Sequence, residues 1–278
     1  IISEMTQGQT ITVGQPFYNQ VNGPIFLILI FLMGIAPLLP WRNASWNNIK
    51  RSLRLPITTG FIVGGLLIAL GVTKLFAVIA FSLCALVISG IAREWIQGSH
   101  SRHGRGEPYP KAFVMLILAN RPRYGGYLAH IAVIFLTLGI AGSSFYGTQQ
   151  DVSLARGQSV NIEEYTIKYV NSINVERIDR VESLAEIQLS RGDRFLGTYY
   201  PRRDFYPSFN MASTQAAIRT TPIEDLYIIP GEFLDDGSVI LRILVNPLVM
   251  WMWVAGPMLM IGVMIALWPY NKQENALL

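Results

Sequence analysis

The chain has 278 residues, of which 51% are hydrophobic and only 14% charged, with a mean hydropathy of +0.36. A soluble domain carries about 25% charged residues, so the composition excludes an ordinary soluble enzyme and defines an integral membrane protein. The net charge of +4 does not mark a nucleic-acid binder, because the basic residues sit in short loops beside apolar runs, the positive-inside pattern.

The first residues, IISEMTQGQTITVGQPFYNQ, are polar and begin with Ile1. A signal peptide needs a basic end followed by an apolar core, so residues 1–22 read as an extracytoplasmic lead-in. We expect a fragment or one half of a longer polypeptide.

Five stretches then have the length, roughly 17 to 25 residues, that a helix needs to cross a bilayer. The first is 23–41, with Pro24 suited to the first helical turn and Pro37 and Pro40 expected to kink or end it. A loop with Arg42, Lys50, Arg51 and Arg54 and no acid follows. Spans 56–72 and 75–92 form a hairpin around Thr73-Lys74, rich in glycine (Gly60, Gly64, Gly65, Gly71), which permits close helix packing. Cys84, the single cysteine, lies within this run. No disulfide framework or cysteine zinc site can form within the chain, and Cys84 reads as a small apolar packing residue.

Residues 93–123 are a second basic loop, six Lys/Arg against two Glu. Its apolar piece 112–119 is too short to span and reads as an interfacial or partly embedded helix. The fourth span, 124–142, carries His130, and the fifth, 247–268, carries Trp251, Trp253 and Trp268 as headgroup anchors. The two basic loops hold ten Lys/Arg and face the cytoplasm, which puts 147–246 outside with 14 Asp/Glu against 10 Lys/Arg. The N-terminal end is then extracytoplasmic, and the tail 269–278 cytoplasmic. Spans and loops 23–146 form one helical region.

Segment 147–246 is long enough for a small domain and reads as β. Apolar residues alternate at Tyr165, Ile167 and Tyr169 and at Ala185, Ile187 and Leu189. Arg191-Gly-Asp193 marks a hairpin before RFLGTYY, and Asp235-Asp236-Gly237 a turn between DLYIIPGEF and SVILRILV. The expected fold is an all-α transmembrane bundle of about five spans with one extracytoplasmic antiparallel β domain, a barrel or sandwich.

Of three histidines, His100 and His103 fall in SHSRHGRGEPYP. Three residues apart, they could share a metal on a helical turn, but the surrounding glycines favour solvated loop positions. His130 lies seven residues past Arg123, so about 10 Å into its span at about 1.5 Å per residue. An ionisable group at that depth is a functional candidate by default. Gly126 precedes it by one turn on the same face, and Thr137 follows two turns on. The missing side chain leaves room for a flat macrocycle, and an imidazole is an axial ligand of heme iron. The alternative is a histidine bonded to a neighbouring helix. No other span holds a histidine, so a second axial ligand must come from elsewhere, and a redox metal site complete within this chain is ruled out. Segment 147–246 has neither histidine nor cysteine, which excludes Ser-His or Cys-His catalysis by its own residues. Arg202 and Arg203 could hold carboxylates such as heme propionates, or be solvated beside strand-packing aromatics.

Stretches 13–42, 120–142, 199–232 and 245–269 together resemble the C-terminal part of the CcmF-type cytochrome c heme lyases, in the family's order and over nearly the whole chain. The resemblance implies a multi-pass protein of the cell (inner) membrane. It implies receipt of transient substrate heme from a heme chaperone and thioether formation with the CxxCH cysteines of apocytochrome c, alongside thiol-handling proteins. It also implies a heme b between two transmembrane histidines, of which His130 matches the second. The tryptophan-rich WWD segment, the outward-facing heme-ligating histidines and the first transmembrane histidine of the family are absent from this chain. They belong to the family's N-terminal half, the expected partner or separate subunit. This chain alone is not expected to catalyse attachment, and no catalytic residue is assigned. Two other classes compete. A transporter subunit predicts polar residues along a midplane path, and the spans hold only scattered Ser and Thr besides His130. A non-catalytic assembly or docking subunit predicts no heme even with the partner half present.

Overall fold

The computed structural model describes residues 15–39 and 45–269. The lead-in up to residue 14, Arg42 of the first basic loop and the tail beyond residue 269 lie outside the described residues. The chain divides into two compact units, Ile1–Leu138 with Val254–Leu278, and Gly139–Trp253.

The helical unit is drawn from α1 (Gln15–Ile35) with a 3-10 turn (Ala36–Leu38), α2 (Trp46–Ala69), α3 (Leu75–His103), α4 (Tyr109–Ala119), α5 (Arg121–Tyr146) and α6 (Val249–Leu267). Among the described residues, five of these helices are long and apolar enough to cross a membrane, and α4 is the short apolar exception. Helix α1 begins well before Pro24, which is interior rather than in the first turn. The Ser45 hydroxyl caps α2 by accepting from Asn48 N at 3.3 Å. At its far end Val72 N donates to Leu67 O and Gly71 N to Ile68 O, both at 3.0 Å. This double closure needs a left-handed residue, and Gly71 supplies it with φ +86°.

Of the hairpin glycines, Gly60 and Gly64 bring α2 against α3. A Cβ on Gly64 would lie 2.7 Å from Ser82 Oγ, whereas Gly65 faces open space. Cys84 is buried among Leu86, Val87, Ile91, Tyr124, Tyr127 and Ile134, as its packing role predicts.

Helix α3 does not stop at Ala92 but runs on to His103. No proline interrupts this stretch, and His100, Arg102 and His103 fall in its last turn, where positive charge suits the helix dipole. His100 and His103 are therefore helical rather than loop residues, exposed as expected but each with a hydrogen-bond partner. His100 Nδ1 shares a hydrogen bond with Tyr109 Oη at 3.2 Å. His103 Nδ1 lies 2.7 Å from Glu107 O, and its ring stacks on Tyr109.

The second unit is an antiparallel β-sandwich. One sheet has the order β1 (Thr148–Leu154), β10 (Val239–Pro247), β9 (Glu224–Phe233), β8 (Ala217–Thr220). The other has the order β2 (Ser159–Ile162), β3 (Tyr165–Glu176), β4 (Val181–Arg191), β6 (Arg202–Tyr206), β7 (Met211–Gln215), with β5 (Arg194–Tyr199) also on β4. The predicted alternation is the core. Tyr165, Ile167, Tyr169, Ala185, Ile187 and Leu189 are each at most 1% exposed, packed with Leu226, Ile228, Leu241 and Ile243 of the facing sheet. The turn at Asp235-Asp236-Gly237 forms as read, with Leu234 N bonded to Ser238 O and Gly237 at φ +81°.

Within this unit the β8–β9 connection is tied to the first turn of α6. Trp251 Nε1 donates to Pro222 O at 2.9 Å, and Leu248 N to Ile223 O at 2.8 Å. Trp251→Phe keeps the ring and loses the first bond. We expect a loss of about 1 kcal/mol, read as a melting temperature lower by about 2–4 °C.

Candidate functional site around His130

Helix α5 is anchored before it reaches its histidine. Asn120 Oδ1 accepts from Arg123 N at 3.4 Å, and Pro122 sits in the first turn, where its missing N–H costs nothing. The Arg123 guanidinium donates to Tyr127 Oη at 2.9 Å and pairs with Glu94 of α3. Tyr127 packs edge-on to Tyr124 at 5.7 Å, and both rings are buried.

The next constraint is a helix crossing built on glycine and alanine alone. A Cβ on Gly125 would lie 2.5 Å from Ala266 N and 2.6 Å from Gly262 O. One on Gly262 would lie 2.7 Å from Ala129 N and 2.9 Å from Gly125 O. Gly125 with Ala129, and Gly262 with Ala266, are thus two small-xxx-small pairs that put the α5 and α6 backbones in contact.

That crossing fixes the rotation of α5, and Gly126 and His130 lie on the adjacent face. Around a Cβ built on Gly126 nothing approaches within 4 Å. His130 is half-buried, and its Nδ1 is buried without a hydrogen-bond partner among the described residues. The alternative of a histidine satisfied by a neighbouring helix is therefore not met within these residues. Leaving such an atom unpaired costs about 1–3 kcal/mol, so the ring is left with bonding capacity that the described residues do not use. An imidazole with open space one turn away fits a flat iron macrocycle. Thr137 adds nothing to it, since its hydroxyl donates to Val133 O of its own helix at 2.8 Å.

Arg202 and Arg203 belong to the β-sandwich unit. There each is engaged rather than left solvated. Arg202 sits beside two buried carboxylates, Glu182 and Asp204, which are 3% and 0% exposed. Its Nε lies 3.4 Å from Asp204 Oδ1, while Arg180 meets Glu182 Oε1 at 2.8 Å and Arg177 meets Oε2 at 3.5 Å. Arg203 Nη1 donates to Gly231 O. Asp204 is two residues from Arg202 on β6, but Glu182 comes from the neighbouring β4, and Arg177 and Arg180 from the β3–β4 connection, so YYPRRDFY holds only part of this network.

The network and Asp225, whose pKa shift involves no cation, should respond oppositely to pH. Burial pushes the Glu182 carboxyl up, but the Arg180 hydrogen bond and the Arg177, Arg180 and Arg202 charges outweigh it and hold it below the usual range. Its stabilising contribution is present above about pH 4.3 and lost as pH falls through the lower folded-state value. Asp225 is 1% exposed, and burial raises its pKa despite bonds from Thr220, Thr221 and Tyr227. Its charge therefore weakens the fold above that raised value, and the penalty vanishes as pH falls to the ordinary aspartate value of about 3.9. Glu182→Gln should lower the melting temperature at pH 7, and Asp225→Asn should leave it unchanged or raise it. Melting curves at pH 7 and pH 4 check both, and shifts of the same sign would contradict this account.

Fold and site define a class, a polytopic helical protein with an antiparallel β-sandwich inserted between its last two described helices and one histidine inside a span. Residues 145–247 match the family model of the CcmF C-terminal β-sandwich. The chain is 26% identical to the cytochrome c-type biogenesis protein CcmF of Haemophilus influenzae, over 97% of this chain and 41% of that protein. It is 25% identical to CcmF of Escherichia coli, over 96% of this chain and 40% of that protein. A solved structure described as cytochrome c heme lyase CcmF superposes with a TM-score of 0.73 at 28% identity, over 92% of this chain and 41% of that one. The chain thus resembles, in sequence and in fold, the C-terminal part of CcmF-type cytochrome c biogenesis proteins, and spans about two fifths of the length of the relatives it matches.

Proposed function

We propose that this chain forms the C-terminal part of a heme lyase, which joins heme covalently to the CxxCH cysteines of apocytochrome c, and that His130 is one axial ligand of a heme b. Likeness along nearly the whole chain to proteins named for cytochrome c biogenesis supports the first part. The observation that carries the second is the buried, unpaired Nδ1 of His130 beside the open Gly126 face. A neutral imidazole would hold the iron, and a ligand from outside this chain would complete the coordination. Heme b bound there would supply one-electron redox chemistry.

The chain's own residues position and shield. Arg123, Tyr127 and Glu94 hold the start of α5, and the Gly125–Gly262 crossing sets which face turns toward the heme. In the proposed topology the basic loops are cytoplasmic, and residues 147–246 form an extracytoplasmic domain offered to the apocytochrome, its thiol-handling proteins and the heme chaperone. The tail 269–278 returns to the cytoplasm.

The test is a reduced-minus-oxidised spectrum of the detergent-purified protein with its complementary N-terminal half. A low-spin b-type signal is expected. No heme in an intact wild-type complex would remove the cofactor and leave a docking subunit as the better account.

A further inference from the structure

Between the C-terminal part of α3 and the short helix α4 lies a cleft of about 510 Å³. Ala92, Trp95, Ile96 and Ser99 line it from one face of α3, and Tyr109 and Phe113 from α4. The two helices close around it where Trp95 meets Phe113 edge-on at 5.2 Å and where Gly98 admits Leu116.

The lining is mostly apolar carbon, yet two of its polar groups are unsatisfied. Ser99 is 8% exposed, and neither its Oγ nor Trp95 Nε1 has a hydrogen-bond partner among the described residues. An indole N–H can only donate, and a serine hydroxyl donates as well, so both lack the same thing, an acceptor oxygen in apolar surroundings. Exposed Lys111 follows Pro110, another lining residue. Arg105 also lies nearby in the chain, and Arg102 is there paired with Glu107. The cleft also lies at the end of a candidate span and beside a helix too short to cross. At that depth a lipid presents, in order, its acyl chain, ester carbonyls and phosphate, and tryptophan is characteristic of this level.

We propose that this cleft holds one anionic phospholipid. Its acyl chain lies between α3 and α4, an ester carbonyl accepts from Trp95 Nε1 and Ser99 Oγ, and its phosphate pairs with Lys111. Free phosphate could satisfy Lys111 but would leave the apolar wall and the two buried donors as they are.

The experiment is native mass spectrometry with lipid extraction on the protein purified with its complementary half in mild detergent. Reconstitution with phosphatidylglycerol or phosphatidylcholine follows. Wild type should retain a phospholipid and prefer phosphatidylglycerol. Trp95→Phe keeps the ring and removes the donor, and should lower retention about fivefold. Lys111→Gln should reduce the preference for the anionic lipid about fivefold. Ala92→Phe, which fills the cleft, should abolish retention. If that variant fails to fold, the Trp95 and Lys111 variants still decide. Absence of lipid from wild type, unchanged retention in Trp95→Phe, equal retention of the two lipids, or displacement by inorganic phosphate would each overturn the proposal.

Discussion

In His130→Ala the low-spin b-type signal is expected to disappear, with heme content falling at least about 100-fold or the residual heme turning high-spin. Loss of groups that merely support a metal ligand already costs about 10–100-fold in affinity, and removal of the ligand itself should cost no less. Any residual heme would keep only the ligand from outside this chain. Loss of signal could reflect misfolding, so a second substitution separates the two causes. Gly126→Leu places a side chain where nothing lies within 4 Å of the new Cβ. It also removes the conformational freedom of a helical glycine, worth about 0.5–1 kcal/mol. The protein should melt no lower than wild type yet fail to hold heme, because the side chain occupies the space beside the His130 ring. His100→Ala, on the last turn of α3, should leave the spectrum unchanged. A full low-spin signal in both His130→Ala and Gly126→Leu would place the heme elsewhere.

Gly262→Leu is expected to destabilise the helical unit strongly. Its Cβ would meet Ala129 N at 2.7 Å and Gly125 O at 2.9 Å. Both are backbone atoms, which cannot rotate away as a side-chain tip can. The helices must therefore separate, and overpacking of this kind costs typically 1–3 kcal/mol and sometimes more. We expect the upper end, about 3 kcal/mol, because the same crossing also holds Gly125 against Ala266. Gly256→Leu is the matched control, since it lies in the same helix with nothing within 4 Å of a new Cβ. Melting curves of the two variants in one detergent decide the matter, and equal stabilities would show that the crossing does not hold the helices. Because the crossing also sets the rotation of α5, Gly262→Leu should shift or lose the heme spectrum while leaving His130 in place.

The sequence by itself determined the apolar spans and the identity of His130 as the one histidine inside any of them, because the cost of charge in hydrocarbon depends on composition alone. It also determined the core faces of β3 and β4, since strict alternation sends Tyr165, Ile167 and Tyr169, and Ala185, Ile187 and Leu189, to one side whatever the partner strand. The Asp235–Gly237 turn was legible for the same local reason.

Tertiary structure decided what depends on a partner distant in the chain. TQQDVSL is too polar to read as a strand, and becomes β1 because β10 pairs with it from Thr148↔Val245 to Leu154↔Val239. Arg202 and Arg203 look available in YYPRRDFY, but Asp204 of the same strand, the buried Glu182 of β4 and a backbone carbonyl of β9 engage them. His100 and His103 read as loop, and α3 carries them because Tyr109 and Glu107 satisfy their rings. Gly125 and Gly126 are adjacent and chemically identical. Only the approach of α6 makes Gly125 a backbone contact and leaves Gly126 as the open place beside His130. Periodicity fixes which residues share a face, but the neighbour each face meets is a non-local fact.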